Sequence, residues 1–311
     1  MTSKLLFTGP ELCKFEAHEV VALLKAREIS SAELIDAAMA RIDQTGPLIN
    51  ATPTLCEARA RAVDLSNQDS TPAGWLAGLP ITIKDLNAVA NVRTTFGTKG
   101  LTAFIPQKSD PLVDQLERYG AVILGKTNTP EFGAGGNTFN AVFGQTRNPW
   151  NTSRNAGGSS GGAAVSLATG EVWLSHGSDL AGSLRTPAAY CGVVGLRPTP
   201  GRCGGGPAAT AFSIEGIAGP MARDTRDLAL FLDAMVGYDP RHPISLDAPT
   251  VPFQTAIDAP DRPLRLAFSE DQRADESGDT RVDVDDRAAG EVERAHLEQP
   301  APLAPHPVRD G

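Results

Sequence analysis

Val172-Trp-Leu-Ser-His-Gly-Ser-Asp-Leu-Ala-Gly-Ser-Leu-Arg-Thr-Pro-Ala-Ala-Tyr190 carries the reading that decides the fold. Val172-Trp-Leu174 is a short apolar run suited to a buried strand, and the cluster Gly177 to Arg185 turns the chain. Thr186-Pro-Ala-Ala-Tyr190 then starts a helix, with proline where a missing N–H is tolerated. The alternation recurs in both directions. Leu79-Pro-Ile-Thr-Ile83 and Ala121-Val-Ile-Leu124 are strand-like, while Pro111 to Tyr119, Ala163 to Ala168 and Thr225 to Met235 have helical periodicity. Nearer the N-terminus, His18 to Arg27 repeats apolar positions at helical spacing, and Ser30 with Glu33 forms a capping box ahead of Leu34 to Ile42. Strands separated by helices and glycine turns predict an α/β sandwich with a largely buried sheet.

The 311 residues, 41% hydrophobic and 21% charged with 31 Gly and 24 Pro, suit one large or two ordinary soluble domains and exclude collagen and coiled coil. A net charge of −9 repels phosphate backbones and anionic membrane surfaces, so neither nucleic acid nor membrane is an expected partner. Cys13, Cys56, Cys191 and Cys203 make no metal-ligand spacing and read as reduced thiols. No leader pattern opens the chain and no run approaches membrane-span length, which makes a cytoplasmic protein the expectation. Residues 269–311 hold 12 acidic and 5 basic side chains and end in Gln299-Pro-Ala-Pro-Leu-Ala-Pro-His-Pro307. The expected organisation is therefore a folded unit over 1–268 and an acidic tail over 269–311, disordered apart from a weak helix at Asp283 to Leu297.

Two glycine-serine clusters could carry chemistry. Asn155-Ala-Gly-Gly-Ser-Ser-Gly-Gly162 exposes small hydroxyls on a tight turn but lacks the Lys-Ser/Thr ending of a phosphate loop; a plain Gly/Ser linker is the simpler alternative. In the second cluster, Ser183 sits at a strand-to-helix turn, where preceding N–H groups could converge on an oxyanion; the plain alternative is a helix cap. A serine nucleophile needs a base, and none of His18, His176, His242, His296 or His306 has a Ser-His-Asp pattern around it. Lys84 ends an apolar strand, where burial could lower its pKa and leave a neutral amine, or where it could snorkel to water instead.

Taken together these segments resemble the amidase signature family of serine hydrolases. The resemblance runs through Gly78-Leu-Pro-Ile-Thr-Ile-Lys-Asp85, Lys126-Thr-Asn-Thr-Pro-Glu-Phe-Gly133, Gly157-Gly-Ser-Ser-Gly-Gly162, Gly177 to Pro198 and Gly219-Pro-Met-Ala-Arg223, in the expected order over roughly residues 10–268. It implies an α/β/α sandwich with a mixed, twisted central sheet. It also implies a Ser-Ser-Lys triad of Ser183 as nucleophile, Ser159 as bridging serine on a cis peptide, and Lys84 as base, with Ser160 the competing bridge. Leu180, Ala181 and Gly182, with Ser183, would supply the oxyanion N–H groups. Asp179 and Arg185 would hold the turn in shape, unless Arg185 meets a substrate carboxylate. No metal or organic cofactor is implied.

Two departures from the family pattern stand out. Leu180-Ala181 replaces the usual Thr-Gly, and a positive φ at 181 would cost alanine about 1 kcal/mol. Relatives also continue past Arg265-Leu-Ala-Phe268, which reads as the start of a next strand, so the family's C-terminal third is expected to be lacking and the uncovered face could pair two copies as a homodimer. The leading functional expectation is an amidase that hydrolyses a small carboxamide through an acyl-serine. A glutaminase-type amidotransferase component that passes ammonia to a partner, and an inactive amidase-like interaction protein, are the alternatives.

Overall fold

The computed structural model describes residues 11–204 and 212–258. The acidic segment 269–311, its expected weak helix and the strand start at Arg265 lie outside these residues. In chain order come α1 (Ala17–Ala26), α2 (Ser31–Ile49), β1 (Thr54–Leu55), α3 (Glu57–Arg61), β2 (Pro80–Lys84), α4 (Pro111–Arg118), β3 (Val122–Thr127), β4 (Phe139–Asn140) and β5 (Gly144–Gln145). They are followed by α5 (Gly161–Ala168), β6 (Leu174–Asp179), α6 (Arg185–Cys191), β7 (Val194–Gly195), β8 (Ile217–Ala222), α7 (Thr225–Met235) and α8 (Phe253–Asp258).

Six strands form one mixed sheet in the order β1-β3-β2-β6-β8-β7, with β3, β2 and β6 parallel and β1 and β8 antiparallel to their neighbours. Every residue of β2 and β3 is buried, as expected of parallel strands covered on both faces. Helix α5 packs over β2, β3, β6 and β8, and α7 packs on β6, β7 and β8. The apolar residues of these strands build the core, and each strand ends on a polar residue: Lys84 ends β2, Thr127 ends β3 and Asp179 ends β6. In open α/β sheets that end is where ligands bind.

Local chemistry accounts for the elements. Ser30 Oγ accepts from Glu33 N–H at 3.3 Å while the Glu33 carboxylate accepts from Ser30 N–H at 2.8 Å, so the expected capping box starts α2. That helix continues past Ile42 to Ile49 and ends on Asn50 in the left-handed region, whose N–H returns to Gly46 O at 2.9 Å.

One expectation is corrected. The strand expected at Val172 to Leu174 begins only at Leu174, and it runs through Ser-His-Gly-Ser to Asp179, where composition alone predicts a turn. The antiparallel ladder from Leu174↔Ala222 to Asp179↔Ile217 holds these polar residues extended. Gly177 serves close approach instead of turning: a Cβ there would lie 2.7 Å from Leu184 Cδ2 and 2.9 Å from Ser160 Oγ. All four cysteines are free. Among the described residues no helix is long and apolar enough to cross a membrane.

His176, in the middle of β6, is 1% exposed and both ring nitrogens lack a protein hydrogen-bond partner. Burial, reinforced by the charges of Lys84 and Lys126, pushes its pKa down to about 3. The folded chain therefore refuses a proton that the unfolded chain accepts below about pH 6.5. Stability that His176 leaves intact above that pH should fall progressively toward pH 3. His176→Leu should flatten this dependence and add about 1 kcal/mol at neutral pH, read by urea titration at pH 7 and pH 4.5. An unchanged pH slope in the Leu variant would contradict it.

Candidate active site

Lys84 is fully buried, and its Nζ donates to three hydroxyls: Ser159 Oγ at 2.7 Å, Ser160 Oγ at 2.9 Å and Ser178 Oγ at 3.0 Å. The strand-end lysine thus turns inward and does not snorkel. Desolvation pulls its pKa down to about 7, against the opposing pull of the Asp179 charge. A substantial fraction of Lys84 is then a neutral amine near pH 7. Ser159 and Ser160 reach it from the loop that enters α5. The Gly158–Ser159 peptide is cis, within the segment where the resemblance implies one. Gly158 lies against Asn137, whose N would stand 2.8 Å from any Cβ at this position.

The two serines differ in what their protons do. Ser160 Oγ donates to Ser178 O at 3.1 Å and accepts from Ser178 N–H at 3.2 Å, so its proton is already committed to the backbone of β6. Ser159 Oγ has Lys84 as its partner, with Gly133 packed beside it: a Cβ there would lie 3.6 Å from the hydroxyl.

Ser183 follows β6 in the turn before α6. Its backbone O accepts from Ser160 N–H at 3.3 Å, which ties the Ser183 turn to the cis-serine loop. Asp179 shapes the turn. Its carboxylate accepts from Gly182 N–H at 2.7 Å, Leu184 N–H at 3.1 Å and Arg185 Nε at 3.0 Å. Burial opposes the ionised form, but the Arg185 bonds and the two backbone donors outweigh it and hold the Asp179 pKa down to about 2.

This staple changes one expectation. Gly182 N–H, expected as an oxyanion donor, is already taken by a carboxylate, whose charge makes it a strong acceptor. Among the described residues the N–H groups of Leu180, Ala181 and Ser183 donate to no other group. The positive φ of the turn falls on Gly182, at 95°, and Ala181 keeps an ordinary backbone. Leu180 is 65% exposed, so its side chain faces solvent.

Three participants are not evident from the sequence. Arg197 Nη1 donates to Asp179 O and Nη2 reaches Ile214 O at 3.3 Å, which fixes the end of β6; the residue stands in the Gly-Leu-Arg-Pro198 run, which shows no partner for it. Lys126, buried on β3, pairs with Asp85 at 3.2 Å and donates to Asn87 O at 2.6 Å and Thr94 Oγ1 at 2.8 Å. Asp85 also accepts from Thr95 Oγ1 at 2.6 Å, so the segment that follows Lys84 is pinned. The adjacency of Lys84-Asp85 and the strand position of Lys126 are the signals that could have pointed to this pair. The third is Ser178, the remaining hydroxyl on Lys84.

The Amidase family profile matches residues 33–300. The chain belongs to the amidase signature family. This amidase-family chain is 40% identical over 261 residues to a glutamyl-tRNA(Gln) amidotransferase subunit of Anaeromyxobacter dehalogenans, covering 82% of itself and 53% of that protein. To the same-named protein of Thermus thermophilus it is 44% identical, covering 80% and 52%. Among solved structures, 6-aminohexanoate cyclic dimer hydrolase complexed with substrate superposes with a TM-score of 0.73 at 34% identity, over 83% of this chain and 54% of that one. Peptide amidase from Stenotrophomonas maltophilia gives 0.69 at 34%, over 79% and 52%. The chain spans about half the length of the curated relatives it matches.

Proposed function

We propose that this chain carries the catalytic half of a serine amidase that hydrolyses a small carboxamide by acyl transfer, with Ser183 as nucleophile, Ser159 as relay and Lys84 as base. The observation that supports it most is the buried Lys84 amine, with its pKa lowered to about 7, 2.7 Å from Ser159 Oγ. As Ser183 Oγ attacks the carbonyl, its proton passes to Ser159 and the Ser159 proton to Lys84. The oxyanion forms against the N–H groups of Leu180, Ala181 and Ser183, which donate to no other group among the described residues, a contribution typically of about 2.7–4 kcal/mol per donor. Ser159 then protonates the departing nitrogen, drawing on the Lys84 ammonium, and water cleaves the ester by the same relay in reverse.

A fluorophosphonate probe tests this reading together with ammonia release from aliphatic, aromatic and peptide amides. Labelling that is lost in Ser183→Ala supports it, and an unreactive chain would leave the inactive-scaffold alternative. Ser159→Ala should leave weak residual turnover through a substituting water, and Ser160→Ala should cost less than Ser159→Ala because the Ser160 proton is held by Ser178 O. The reverse order would move the relay to Ser160.

A second reading has its own support: the relatives above are named as amidotransferase subunits. In that case glutamine is the amide and ammonia passes to a partner protein. Release of ammonia from simple amides with no second protein favours the first reading, and turnover of glutamine alone among amides favours the second. The homodimer stays part of the proposal, on the exposure of Phe132, Leu180, Phe212 and Ile214. Sedimentation of the chain tests it, and a monomer at all concentrations would remove it.

A further inference from the structure

We infer that Ser178 is a positioning residue of the proton relay: its hydroxyl occupies one N–H of Lys84, so that the amine's lone pair is left facing Ser159. The inference rests on the amidase reading above and adds to it the device that sets the direction of proton flow.

Three hydroxyl oxygens surround Nζ at 2.7, 2.9 and 3.0 Å. A neutral amine brings two N–H donors and one lone pair to these three partners. Ser160 has spent its own proton on Ser178 O, so toward Lys84 it can only accept. That uses one N–H. The second must go to Ser159 or to Ser178. If Ser178 accepts it, Ser159 donates its proton to the lone pair and its oxygen is open to accept from Ser183, which is the direction that activates the nucleophile. If Ser159 accepts it, the Ser159 proton turns outward and the relay points the wrong way.

The surroundings favour Ser178 as the acceptor. Half-buried on β6, it can turn its own proton to water while accepting from Lys84, whereas Ser159 is 3% exposed and has no hydrogen-bond partner but Lys84 among the described residues; the backbone N–H and C=O of Ser178 are also what orient Ser160. One residue therefore fixes two of the three contacts of the amine. When the relay fires, Lys84 becomes an ammonium with three donors, and the three hydroxyls match them. The titratable groups around Lys84 are Asp179 and His176 on β6, Asp85 next in the chain and Lys126 on β3; none of them hydrogen-bonds Nζ.

The test uses the 311-residue chain with Ser178→Ala, Ser178→Thr and Ser178→Cys. Two readouts are taken: the rate of fluorophosphonate labelling from pH 6 to 9, and the titration of Lys84 by carbon NMR of lysine labelled at Cε. Ser178→Ala should label about 10- to 100-fold more slowly with its fold intact by circular dichroism, and its Lys84 should titrate at lower pH because the ammonium has lost an acceptor. Ser178→Thr, which keeps the hydroxyl, should restore both. Ser178→Cys, a weak acceptor, should fall between and serves if the alanine variant does not fold. Labelling within twofold of the parent and an unmoved Lys84 titration would overturn the inference, as would a threonine variant as slow as alanine. If the parent does not label at all, the amidase reading fails separately, and the Lys84 titration still decides whether Ser178 holds the amine.

Discussion

Lys84→Ala is expected to lower carboxamide turnover by about 10²–10⁴-fold, the range for loss of a general base. Ser183→Ala should reach the same floor, and the double variant should be no slower than either single one, because the relay acts as a unit. The sign of the pH dependence follows from the amine. Lys84 must be neutral to accept a proton, and its pKa is lowered to about 7, so turnover should rise with pH through that value and level off above it. In Lys84→Ala the residual rate should lose this limb. Ammonia release between pH 5.5 and 9 measures both effects. A parent whose rate is flat across pH 7, or an alanine variant within tenfold of it, would remove Lys84 from the mechanism. Lys84 also makes stability depend on pH: the unfolded lysine holds its proton up to about pH 10.5 while the folded one releases it near 7, so stability should rise across that interval.

Much of this arrangement is legible in residue order alone. Ile81-Thr-Ile-Lys84 announces a buried strand with a cation at its end, and Ser30 with Glu33 announces a helix start, because in both cases the deciding interactions lie within a few residues. Glycine and serine mislead where the deciding contacts are distant. Ser175 to Asp179 has turn composition, yet it is extended because β2 and β8 flank it and because Leu184 and Ser160 leave no room for a side chain at Gly177. Composition cannot report a neighbour 17 residues away, such as Ser160 at Gly177. The same limit applies to the turn around Ser183. Its sequence shows N–H groups that could meet an oxyanion, but not that the Asp179 carboxylate has already taken one of them, nor that Arg197 reaches back to Asp179 across 18 positions. The Asp179–Arg185 pair is legible because the partners sit close in the chain.

Asp179→Ala should be the most destabilising single change around the site that adds no bulk. The carboxylate satisfies the N–H groups of Gly182 and Leu184 and pairs with Arg185. Arg185 is 58% exposed and would recover water, so its share of the loss is small. Leu184 is fully buried, so its N–H would be left without an acceptor, while the N–H of half-buried Gly182 would exchange a charged partner for water. A loss of roughly 3 kcal/mol follows, or a melting temperature lower by about 6–12 °C in a folded unit of this size. Asp179→Asn separates shape from charge: it keeps one acceptor oxygen but cannot bind both backbone donors and the guanidinium as an anion does, so it should lose about half as much. The pH dependence provides the internal check. The folded carboxyl titrates near 2 against 3.8 unfolded, so the advantage of the parent over Asp179→Asn should be complete above about pH 4 and disappear as pH falls through 2. Urea unfolding at pH 7 and pH 3 measures it. If the gap between parent and Asn variant is the same at both pH values, the charge of Asp179 is not what holds the Ser183 turn, and the packing of Leu184 must do so instead.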